Sequence, residues 1–81
     1  MIVIKNIYQR LECHSAQQVL DMLSQYRGKS VTLAYVLPSG IERVVFVDVN
    51  QDGTAVDSYK DIQIDLVYLT NIFHLELNIE V

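Results

Sequence analysis

Apolar and polar positions follow two different periods along this chain. Between residues 15 and 27, Ala16, Val19, Leu20, Leu23 and Tyr26 recur at three- and four-residue steps, while Gln17, Asp21, Ser24 and Gln25 fall elsewhere. That spacing predicts an amphipathic helix over about 15–27. Ser15 stands at its N-cap, and Gln18 completes a capping box by reaching back to the Ser15 amide. Gly28 supplies the left-handed residue that ends such a helix, and Arg27 and Lys29 complement its negative end.

Beyond the helix the period drops to two. Val31, Leu33, Tyr35 and Leu37 share one face of a strand over about 30–37, and Pro38-Ser39-Gly40 is a turn. The next strand, about 41–50, contains Val44-Val45-Phe46-Val47, apolar on both faces, which predicts the most central strand of the sheet. Asp52-Gly53 reads as a two-residue hairpin loop that sets Val49 opposite Val56 and Asp48 opposite Asp57, two like charges face to face. Strands over about 54–59 and 62–67 follow, then a helical turn at Tyr68–Asn71 and a last strand over about 72–79. In that last strand Phe73, Leu75, Leu77 and Ile79 are expected inside, and Ile72, His74, Glu76 and Asn78 outside. Ile2, Ile4 and Ile7 open the chain with alternation short enough for a lead-in segment. The whole, residues 1–81, reads as a single domain, mainly β with one N-terminal α-helix. Five strongly bent antiparallel strands of this length are expected to close into a small barrel, which removes exposed edges.

The order helix, then five short strands, is the plan of the SH3-like and Sm-like barrels. Gly28-Lys29-Ser30-Val31-Thr32-Leu33, Ser39-Gly40, Val45-Phe46-Val47-Asp48 and Leu69-Thr70-Asn71-Ile72 together resemble the Sm-like pattern over about 28–77. The same stretch is similar to the YolD-like group of small bacterial proteins, which share that plan. The resemblance implies a shape. It carries over no RNA site, because the Asn and Arg-Gly signatures that hold bases in Sm-like rings have no counterpart here, and Arg43-Val44-Val45 stands where a bend glycine is expected.

Composition narrows the function classes. With 51% hydrophobic and 20% charged residues the chain is too apolar for disorder. Its 81 residues build a core worth only about 3–5 kcal/mol net, a size at which a partner subunit helps. A single cysteine, Cys13, rules out an internal disulfide and suits a reducing compartment. Lys5 interrupts the opening apolar run too early for a signal peptide, and no run approaches the ~20 residues of a membrane helix, so a cytoplasmic protein is expected. Charge is unevenly placed: residues 1–43 hold five cations and three carboxylates, and residues 44–81 hold Lys60 against seven carboxylates. The second half therefore repels phosphate, which makes nucleic acid an unfavoured partner. Arg10, Arg27, Lys29 and Arg43 are the only candidate footprint for one.

Candidate chemistry is sparse. Asp48-Val49-Asn50-Gln51-Asp52-Gly53 matches the opening of a calcium loop, with Asp48, Asn50 and Asp52 as oxygen ligands, and resembles the start of a dockerin repeat. Position twelve of that loop is Tyr59, which cannot supply the bidentate carboxylate, so a plain Asp-Gly hairpin is the better reading. Cys13-His14 and His74-x-Glu76 do not form a zinc set or an aligned nucleophile–base pair. Tyr26 and Tyr35 lie on predicted core faces, and Tyr8, Tyr59 and Tyr68 have no interleaved cations to make a stacking platform. No catalytic set and no cofactor site can be assembled from these residues. The expected function is a non-enzymatic protein-interaction module that self-associates, pairing through the last strand or through Ile2-Val3-Ile4. A small acidic phage- or plasmid-type inhibitor mimicking nucleic acid, and a weak nucleic-acid-binding barrel, are the alternatives.

Overall fold

Residues 1–78 are described by a computed structural model of the chain. It opens on a hairpin, β1 (Ile2–Lys5) and β2 (Arg10–Cys13). Asn6 makes the turn: its side-chain oxygen accepts the amides of Tyr8 and Gln9 at 2.8 and 2.7 Å. Helix α1 (Ala16–Leu23) follows and tightens into a 3-10 turn at Ser24–Tyr26. Ser15 Oγ caps it by accepting the Gln18 amide at 3.1 Å. The Gln18 side chain reaches back to the amide of His14, one residue earlier than the capping box predicts. Gly28, at φ +73°, then turns the chain into the sheet, and the Gln51 side chain occupies the space a Cβ would need.

Strands β3 (Ser30–Val36), β4 (Glu42–Val49) and β5 (Ala55–Asp57) complete an antiparallel sheet in the order β2-β1-β3-β4-β5. The expected strand count is met, but by different strands. The initial hairpin supplies two of the five, and β1 lies between β2 and β3 with no free edge for a partner. The sheet is open, because β2 and β5 end it on opposite sides, so the expected barrel is corrected to a sheet covered on one face. The central strand is β3. The apolar run Val44–Val47 in β4 has another cause: its outward residues, Val44 and Phe46, are exposed.

The C-terminal segment departs most from strand alternation. Only Ile62–Ile64 runs along β5, joined by Asp57 N–H to Ile62 O and Ile64 N–H to Ala55 O, each 2.8 Å. Asp65 then caps a second helix, α2 (Leu66–Asn71), by accepting the Tyr68 amide at 2.9 Å. Ile64 and Leu69, both buried, hold the positions of a hydrophobic staple around that cap. The helix widens into a π-helical turn over Ile72–Glu76, closed by Leu77 N–H to Ile72 O at 2.9 Å. Leu69, Ile72, Phe73 and Leu77 are therefore buried together, a spacing of helix and not of strand. Ile79, the last inward position expected, lies outside the described residues.

Both helices cover the same face. Ala16, Val19 and Leu23 of α1 meet Ile2 and Ile4, Val31, Leu33 and Tyr35, Val47 and Val49, with Leu69, Ile72 and Phe73 closing the core. The β4–β5 hairpin has a three-residue loop with Gly53 at φ +90°, not the two-residue loop read from Asp52-Gly53. Register shifts by one accordingly: Asp48 faces Val56, and Val47 faces Asp57. The like-charge pair disappears, since neighbouring register positions point to opposite faces.

The two readings of the last segment predict opposite costs. Ile72 is 4% exposed and Leu75 75% exposed, whereas strand alternation puts Ile72 outside and Leu75 inside. Ile72→Ala is expected to lose about 2–5 kcal/mol in urea unfolding. Leu75→Ala should lose less than about 0.5 kcal/mol.

Candidate interaction surface

Side chains alternate across a strand, so the face of the sheet away from the helices follows from the pairing register. One row across it is Glu12, Val3, Ala34 and Val44; the next is Arg10, Lys5, Thr32 and Phe46. Val36 lies beside Glu42 at the end of the same face, and Met1 extends the β1 column. An uncovered antiparallel face ordinarily carries polar residues. Here Met1, Val36, Val44 and Phe46 are 41%, 55%, 45% and 46% exposed around nearly buried Val3 and Ala34. Ile7 and Tyr8, at the tip of the first hairpin, are also exposed. Lys5, Arg10 and Glu12 border this patch on the β1–β2 side, and Glu42 borders it on the β4 side.

A cleft of about 470 Å³ opens at the far edge of β4, between that strand and the C-terminal helical segment. Tyr59 sits edge-on against Phe46 at 5.3 Å on one wall. On the other wall Glu76 accepts the Tyr35 hydroxyl at 3.0 Å and lies 3.5 Å from Arg43 Nε. Burial, then the hydrogen bond and charge of Glu76, push the Tyr35 hydroxyl well above the ordinary phenol range, with Arg43 opposing. Burial also raises Tyr68, with Asp57 and Glu76 adding to the shift. Asp57 is the one charged side chain in the core among the described residues, and it accepts the amides of Tyr59 and Lys60 at 2.9 and 3.1 Å. That turn, continued by Asp61 at φ +55°, takes the chain away from β4 after Ser58.

The residues singled out from sequence do not converge. Arg10 is on the open face of β2, while Arg43 lies on the opposite face of β4 beside Glu76. Arg27 donates to the Ser24 carbonyl at 3.3 Å and lies against Gly53, so it serves the helix end and the hairpin loop. Lys29 precedes β3 and is exposed. Of the calcium-like set, Asp48 accepts the Ser30 hydroxyl, Asn50 donates to Thr54, and Asp52 accepts both the amide and hydroxyl of Thr54. Those Thr54 hydrogen bonds hold the Asp52 carboxyl below its ordinary value, with the Arg27 charge a smaller contribution. Among the described residues no three His, Cys, Asp or Glu side chains come together in a way that could hold a metal ion. Cys13 is buried, which raises its thiol, and His14 next to it is exposed. His74 is exposed on the π-helical turn. Tyr26 and Tyr35 lie in the core as expected, and Tyr8 and Tyr59 are exposed.

Sequence reasoning missed both the open apolar face and the cleft. Asn6 as a turn residue before the alternating Arg10-Leu11-Glu12-Cys13 was the available signal for β2, and Asp65 was the signal for α2. No described helix is long and apolar enough to cross a membrane. No known protein family, curated protein or solved structure matches the chain.

Tyr35 gives the cleft a pH signature. Because its folded pKa lies above the unfolded one, its contribution is fully present below about pH 10 and is lost as pH rises toward the folded value. Urea unfolding should show stability falling above about pH 10. In Tyr35→Phe that fall should be shallower, with about 1–2 kcal/mol already lost at neutral pH.

Proposed function

We propose that this chain is a non-enzymatic protein-interaction module that self-associates through the open face of its sheet. The observation that carries this reading is the contiguous apolar patch of Met1, Val3, Ala34, Val36, Val44 and Phe46 on a face that no helix covers. A single-layer sheet with one dry face leaves apolar area in water, and packing two such faces together buries it. The occupant is a second copy, because the border is self-complementary. Lys5, Arg10 and Glu12 lie on one side of the patch and Glu42 on the other, so Lys5 has an opposite charge on the facing border. A two-fold axis in the plane of contact sets Lys5 of each copy over Glu42 of its mate.

The acidic second half supports this reading over nucleic-acid mimicry. Asp48, Asp52, Asp57 and Asp65 each accept hydrogen bonds within the chain, as turn, strand or helix-cap residues. They are used in shaping the fold, and they do not line one common face.

Sedimentation at about 0.1 mM protein, where an interface of micromolar strength is saturated, should give a dimer. Val44→Lys should shift the species to monomer with an unchanged circular dichroism spectrum. Lys5→Glu and Glu42→Lys should each weaken association about tenfold or more, and the double swap should restore it. A monomer at every concentration would rule the reading out.

A further inference from the structure

Strand β4 runs on past the point where its neighbour ends. Leu37 N–H bonds Ile41 O at 2.8 Å, and Val49 N–H bonds Lys29 O at 2.9 Å, so the odd-numbered residues of β4 turn their backbone groups toward β3. Even-numbered residues turn theirs the other way. On that side Asn50 N–H bonds Thr54 O, and Ser58 N–H bonds Phe46 O at 2.8 Å. The Asp57 turn then diverts the chain back along β5. Among the described residues, nothing pairs with the outward N–H and C=O of Val44 and Glu42. These open groups lie along the cleft, whose walls are Tyr59 with Phe46 on one side and Leu75 with Ile72 on the other.

The charges of the cleft divide unevenly. Asp57 is taken up by two backbone amides, and Glu76 by Tyr35 and Arg43. Among the described residues Arg43 makes one ion pair, with Glu76 through Nε, and Lys60 makes none. Of the exposed charges that line the cleft, that of Lys60 is the one without an ion-pair partner among the described residues.

We infer that this cleft binds an extended peptide of another protein, which adds a strand to the Glu42–Val44 edge of β4 and places an acidic side chain between Arg43 and Lys60. A row of alternating donors and acceptors at strand spacing is matched by another strand. The free edge spans about 10 Å, room for three or four peptide residues. Strand alternation then puts an apolar residue two positions from the acidic one, against Leu75. This extends the interaction-module reading to a second surface and does not require self-association.

The test uses the full chain carrying Lys5→Glu, so that loss of self-association and loss of peptide binding are read separately. The probe is the acetylated, amidated hexapeptide Thr-Val-Thr-Glu-Thr-Thr, titrated into isotope-labelled protein and followed by amide NMR shifts. The amides of Glu42 and Val44 should move most, and Lys60→Glu should weaken binding about tenfold or more. Changing the peptide's Glu to Lys should restore binding to that variant. N-methylating the peptide residue that faces Val44 should abolish binding, while N-methylating its neighbour should not. Unmoved Glu42 and Val44 amides at millimolar peptide, or binding indifferent to N-methylation, would overturn the proposal.

Discussion

The structure depends on the burial of Ile72 and Phe73 against the inner face of the sheet. These two side chains, with Leu69 and Leu77, make the C-terminal segment a helical cover in place of a sheet strand. Had the same residues continued the sheet, they would have covered the β4 edge and carried the strands toward closure. As a helix they complete one core with α1 and leave the opposite face bare. The open face and the open edge are thus two consequences of one packing choice.

That choice is held in place by short aspartate turns. Asp57 gathers the amides of Tyr59 and Lys60 and bends the chain off β4, and Asp65 starts α2 eight residues later. A carboxylate that accepts backbone amides satisfies donors the turn would otherwise leave open and stiffens the turn it caps. Asp57 makes these hydrogen bonds while buried. The high aspartate content of the second half therefore reads as chain geometry more than as an electrostatic surface.

The two surfaces differ in what they can recognise. The open face is broad and apolar, so the proposed self-association takes its selectivity from the charges at its border and from shape. The β4 edge is narrow and polar along its backbone, so the proposed peptide is selected by strand conformation first and by side chains second. Glu42 belongs to both: its side chain borders the open face, and its backbone belongs to the edge.

By itself the sequence determined the local elements whose signals lie within a few residues. Ser15 with Gln18 marked the start of α1 and Gly28 its end, and β3, β4 and their turn followed from period-two alternation and Pro38-Ser39-Gly40. The core faces of α1 and β3 were legible for the same reason, including Tyr26 and Tyr35. Residues 66–77 were not, because Leu69, Ile72, Phe73 and Leu77 suit a helix while Phe73, Leu75 and Leu77 suit a strand. Only contact with α1 and the sheet chose between the two periods. The apolar outer positions Val44 and Phe46 were ambiguous in the same way: alternation cannot tell a strand buried on both sides from one whose second face awaits a partner. Whether the sheet closed, which strands it contained and which edge stayed open were tertiary decisions, since each depends on contacts between residues far apart in the chain.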